Sequence, residues 1–205
     1  MDKIAFSGNV MYMDFRYNYL CDTVRALENL ISSFKKKNEE IDYYDGLFLL
    51  EDSEQTYGLA FIAMQNYIYG SIYDHLKALK SDAKISEDLF EKSFKVRGEL
   101  KQHIWQNYIP KSEKVEQNDL KYVELIICLA NYYKHRDEVN GLDKSTLIIL
   151  NKLDNKFNEN NFELDDSPII NGIELLSKNW DLTEIVENIK SWREKLWDSN
   201  GHPTP

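Results

Sequence analysis

Eight polar residues in unbroken order, Asn131-Tyr132-Tyr133-Lys134-His135-Arg136-Asp137-Glu138, close the most apolar helical run of this chain. They bring an imidazole, two cations, two carboxylates and two phenols within two helical turns. An imidazole can take and return a proton near neutral pH. Carboxylates beside phenol rings can hold a cationic side chain and pack its stem. His135 and Glu138, three apart on a helix, could share a metal ion, but one such pair does not fill a coordination shell. A second spacing is Arg97-Gly98-Glu99-Leu100-Lys101-Gln102-His103. It sets a guanidinium about one and a half helical turns from an imidazole.

Other chemistries lack their residues. The four histidines, at 75, 103, 135 and 202, fall in no HExxH or paired ExxH pattern, and there is no CxxC. Neither GxSxG nor a glycine-rich phosphate loop occurs, and neither cysteine lies in an electropositive setting. No metal and no cofactor is expected.

The elements that must position these residues read as helices. The organising run spans Leu120 to Glu138, with Asp119 as its expected cap and Val123, Ile126, Ile127 and Ala130 on its inner face. Before it, Tyr17, Leu20, Val24, Leu27, Ile31 and Phe34 recur at intervals of three and four, which predicts a helix over about 14–38. A second helical region covers about 43–80, with a possible break. Gly58 and Gly70 within it each cost about 1 kcal/mol relative to Ala, which close approach of another helix would explain. Glu51, Glu54 and Gln65 flank its apolar face and are expected at the solvated edge, with a polar pocket as the alternative. Ser86 followed by Glu87 and Asp88 starts a third helix that Pro110 ends. Ser145 is the expected cap of a helix through Leu153, and the Asn-rich stretch 154–166 reads as a loop. Ser167-Pro168 opens another helix. Asp181 and Glu184 form a capping-box-like pair before a last helix carrying Ile185, Val186, Ile189, Trp192 and Leu196.

Composition agrees with helices. Of 205 residues, 42% are hydrophobic and 29% charged, while Gly (8) and Pro (4) are scarce. The expected fold is one all-α domain over 1–205, an antiparallel bundle of about six to seven helices. Its core spans about 14–139 and a C-terminal helical cover about 145–198. The net charge of -10 disfavours phosphate backbones and favours a basic protein partner. The thirteen tyrosines suit contact with a protein. Cys21 and Cys128 fall at apolar helix positions and read as reduced, buried thiols, which suits the cytoplasm. The N-terminal stretch lacks the pattern of a signal peptide, and no run approaches a membrane span.

The Arg97 to His103 spacing resembles the Arg-x4-6-His signature of HEPN domains, an all-α family that includes metal-independent ribonucleases. That resemblance implies RNA cleavage by Arg97 and His103. Gly98 departs from the polar residue usual after the Arg. Ala130-Asn131-Tyr132-Tyr133-Lys134-His135 is similar to the family's Arg-Asn-x-x-x-His form, with Ala where the family has Arg. The site then looks degenerate, and charge stabilisation is left to Lys134 or Arg136.

An acidic, all-helical chain without a complete catalytic set also resembles the immunity proteins of bacterial toxin-immunity systems, including contact-dependent growth inhibition. That likeness, of charge and size, implies a non-enzymatic antitoxin that neutralises a toxin domain, a basic nuclease by preference. Tyr132, Tyr133, His135, Asp137 and Glu138 are the expected partner-binding residues. An internal salt-bridge network through Lys134 and Arg136 is the competing expectation for the same helix end.

Overall fold

The computed structural model describes residues 14–82, 85–95, 115, 120–138, 141–158 and 167–198, with 93–95 as backbone alone. Helix α1 is Phe15–Glu40, and the Asp14 carboxylate caps it by accepting from the Tyr17 N–H at 3.1 Å. Leu20, Val24, Ile31 and Phe34 are buried, with Tyr17 and Leu27 beside them, so the apolar stripe faces inward as its spacing requires.

Helix α2 is Gly46–Ser81, 36 residues without a break. Asp45 accepts from the Leu47 and Phe48 N–H groups and begins it. Both internal glycines sit where another element presses in. A Cβ on Gly58 would overlap the Tyr133 ring, and one on Gly70 would crowd the Arg16 side chain. Packing therefore offsets what these glycines cost the helix, and the helix does not break there. Arg16 pairs with Asp74, and Tyr67 donates to Asp14. The start of α1 thus lies beside the second half of α2.

Helix α3 is Glu87–Lys95, with the Ser86 hydroxyl accepting from the Leu89 N–H at 3.2 Å. Helix α4, Tyr122–His135, is the organising run. It is shorter at both ends than the apolar pattern suggested. Lys121, not Asp119, is its N-cap, and its N–H donates to Glu124 at 3.3 Å. At the other end the chain turns after His135, so Arg136, Asp137 and Glu138 leave the helix axis. Residues 54, 58 and 65 of α2 meet Arg136 just past α4 and residues 133 and 127 within it, so this pair is antiparallel.

Helix α5, Lys144–Leu153, is capped by Asp143, with Ser145 inside its first turn rather than at the cap. Residues Asn155–Asn158 form a 3-10 turn whose Phe157 is fully buried, so this end of the Asn-rich stretch is anchored. Helix α6 is Pro168–Leu176, with Ser167 as N-cap. Trp180, at φ 57°, occupies the left-handed region that a bulky residue enters at a cost of about 1–2 kcal/mol. The edge-on packing of its ring against Tyr57, 5.8 Å between centroids, holds it there.

Helix α7 is Leu182–Asp198. Asp181 accepts from the Thr183 and Glu184 N–H groups, but the box closes through a third residue. Glu184 takes the Ser177 hydroxyl, and Ser177 accepts the Asp181 N–H. The C-terminal helices do more than cover one end. Glu28 meets Thr183 and Asp14 meets Arg193, so α7 runs antiparallel along α1. Its Ile185, Val186, Ile189, Trp192 and Leu196 join the same core as α2 and α4. Seven α-helices and no strand occur among the described residues, an all-α bundle. No helix among them is long and apolar enough to cross a membrane.

Candidate functional site

The end of α4 meets α2 in a band of polar side chains that runs from the buried Glu54 and Gln65 out to the exposed Gln55 and Lys134. Glu54 and Gln65 are buried, against the expectation of a solvated edge, while Glu51 is exposed. The register explains it. Residues 54, 58, 61 and 65 form the ridge of α2 that α4 covers, and Gly58 lets α4 approach closely enough to seal it. A buried carboxylate requires a partner, and Arg136 supplies one. Its Nη1 donates to Glu54 Oε1 at 2.6 Å, and the Ser167 hydroxyl donates to the same oxygen at 2.7 Å. One carboxylate thereby joins α2, the end of α4 and the N-cap of α6.

The neighbouring groups are tied in similarly. Arg136 Nη2 donates to Gln55 Oε1 at 3.2 Å, and the Tyr133 hydroxyl donates to that oxygen at 2.8 Å. The guanidinium carbon lies 4.9 Å from the Tyr133 ring centroid, a cation–π contact. Lys134 donates to Gln65 Oε1 at 2.6 Å, and Gln65 Nε2 donates to Asn131 Oδ1 at 2.9 Å and to the Ile127 carbonyl at 3.3 Å. Burial alone would lower the Arg136 pKa. Attraction to Glu54, then to Tyr132 and Asp137, outweighs it and raises the value above that of an ordinary arginine. Tyr132 is raised as well, by burial first and the Glu54 charge second.

The five expected contact residues do not share one fate. Tyr132 is 7% exposed and in register with the buried Leu125 and Cys128, so it belongs to the core and is not offered to a partner. Tyr133 is half-buried, with its ring over Gly58. His135 Nδ1 lies 2.6 Å from Glu138 Oε1, with both side chains about half exposed. Asp137 is 94% exposed and only loosely paired, its carboxylate 3.7 Å from Arg136 Nε. His135, Asp137 and Glu138 thus reach solvent at the end of α4, while Arg136 bonds the buried Glu54 and the Lys134 amine reaches Gln65.

This arrangement can brace three helices and present negative charge outward. Among the described residues no three His, Cys, Asp or Glu side chains converge as metal ligands. In the HEPN-like form, Ala130 is fully buried, Asn131 holds Gln65, and both remaining cations are engaged inward. Arg97 and His103 lie outside the described residues. Cys128 is buried and Cys21 only partly so, both as free thiols.

Gln55 and the Ser167 contact are the members of this site that pattern reading missed, while Glu54 and Gln65 follow the polar-pocket alternative and not the solvated edge. The signal was the glycine at 58: Glu54 one turn before it and Gln65 two turns after it share its covered ridge. No protein-family profile, curated protein or solved structure matches this chain.

Proposed function

We propose that this protein is a non-enzymatic immunity or antitoxin-like protein of the cytoplasm, which binds a basic toxin domain and blocks it. The reading is supported by the way charge is sorted at the end of α4. Arg136 and Lys134 are spent on Glu54 and Gln65, while Asp137 and Glu138 face solvent. A chain of net charge -10 repels a phosphate backbone and accelerates encounter with a basic protein. A nuclease domain, itself built to hold phosphates, is the basic partner that fits.

The test is co-production with the product of the reading frame immediately upstream. That product alone should arrest growth, and this chain should relieve the arrest through a complex that weakens as salt rises. Failure to protect, with no complex even at low salt, overturns the proposal. RNA cleavage in EDTA that disappears in His103→Ala would replace it with a metal-independent ribonuclease.

A further inference from the structure

The polar end of α4 borders a larger exposed face. At about 3.6 residues per turn, the ridge of α2 that meets α1 and the ridge that meets α4 leave an outer strip between them. Gln55, Leu59, Ile62 and Asn66 fall on that strip, and Leu59 is 49% exposed. Gln55 is the hinge of the two regions, since it accepts from Tyr133 and Arg136 of the site already described. On the other side of the strip, α1 and α2 enclose an open groove of about 280 Å³. Leu20 and Ala63 floor it, Tyr19, 77% exposed, stands as its wall, and Arg16, its charge paired with Asp74, lines its far end from the acidic rim. Leu30 extends the apolar surface along α1. The whole has the anatomy of a contact surface, apolar at the centre and charged at one rim.

We infer that this face, from the α1–α2 groove across Leu59 to Asp137 and Glu138, docks an amphipathic helix with an apolar stripe and basic flanks. The inference deepens the immunity reading and rests on it for the helix's biological source. Charge complementarity selects the occupant. The rim residues Glu51, Asp137 and Glu138 are acidic and outward, and the two cations at that rim are engaged inward. A second copy of this chain would bring like charge against like. The groove offers an apolar anchor pocket, and Thr23 and Asn66 at its lip offer polar groups to the arriving side chain.

The probe is a synthetic amphipathic helix of roughly 18 residues made of Leu and Lys, read by calorimetry against the full chain. One control keeps the lysines and replaces Leu with Ser; another keeps Leu and replaces Lys with Glu. The Leu/Lys helix should bind more tightly than either control. Tyr19→Ser with Leu59→Gln should weaken it roughly tenfold while leaving the Ser/Lys control and the melting temperature unchanged. Should the variant fold poorly, Leu59→Gln alone carries the measurement. Equal affinity of the wild type and the variants overturns the inference, as does equal binding of the Leu/Glu helix. Sedimentation that reveals a dimer dissociated by Leu59→Gln also overturns it, because the occupant is then a second copy. The outcome is independent of the growth assay. Binding here with no protection from the toxin removes the immunity reading and leaves the surface, and protection without binding here does the reverse.

Discussion

Arg136 and Arg193 stand in opposite relations to their carboxylates. At the end of α4, Glu54 is the deeper partner at 6% side-chain exposure and Arg136 the shallower at 19%. Where α1, α2 and α7 meet, Arg193 is the deeper at 5% and Asp14 the shallower at 19%, with Nε 3.3 Å from Oδ2. Trp197 covers Arg193, its ring centroid 5.3 Å from the guanidinium carbon. Asp14 also caps α1 and accepts from Tyr67. Both clusters join three helices through one charge pair. The Asp14 cluster spends its groups on joining elements, whereas the Arg136 cluster leaves two carboxylates facing water. The difference separates a structural clamp from a clamp that also presents a surface.

The comparison predicts which half of each pair is costly to remove. Breaking a buried pair is expensive when the remaining charge cannot reach water. Asp14→Ala strands Arg193 and removes a helix cap, so it should carry the largest penalty, about 3–5 kcal/mol by urea denaturation. Arg193→Met leaves Asp14 nearer the surface and should cost about 1–2 kcal/mol. Equal penalties for the two would remove the depth argument. At the other cluster the order inverts. Arg136→Met strands Glu54 and should cost about 3 kcal/mol, more than Glu54→Gln, which keeps the acceptor oxygen for Ser167. A larger loss from Glu54→Gln would show that the Ser167 and Arg136 bonds, and not the buried charge, dominate.

Next in size is the close approach that seals the second cluster. A Cβ at Gly58 overlaps the Tyr133 ring, so Gly58→Ala must displace Tyr133 or part the helices. Displacement of that kind costs about 1–3 kcal/mol, against about 1 kcal/mol regained in helix propensity. A net loss in melting temperature is the expected outcome. It should shrink in Gly58→Ala with Tyr133→Ala, since the smaller side chain makes room. If the pair is simply additive, the ring is not what the glycine accommodates.

The helices were legible because their signals are local. The stripe from Tyr17 to Phe34, the Ser167-Pro168 start and the apolar set of α7 each need only a few neighbouring residues. The polar clusters were not legible, because each depends on residues far apart in the chain. Glu54 looks like any helix-edge carboxylate until α4 lies across Gly58, and Asp14 looks like a cap alone until Arg193 arrives from α7. Tyr132 was misread for a related reason. A polar tip on a large apolar body fits a surface or a core, and only the register against Leu125 and Cys128 decides it. The candidate surface was legible in part: its sequence position was visible, but not which of its charges the protein uses for itself.

The smallest stability effect is expected where the proposed function needs the largest binding effect. Asp137→Asn with Glu138→Gln keeps shape and removes two charges. Asp137 is almost wholly in water, 3.7 Å from Arg136, and Glu138 meets a half-exposed His135. Exposed pairs contribute about 0–1 kcal/mol, so the melting temperature should scarcely move. Affinity for the toxin that the growth assay identifies should fall, and its dependence on salt should flatten, because fewer charges remain to be screened. The single variant Glu138→Gln separates the two carboxylates, since Glu138 and not Asp137 meets His135. If the double variant melts early while each folded molecule binds as before, the helix end is a second structural clamp. The contrast with the Asp14 cluster then disappears, and the partner must be held elsewhere on the chain.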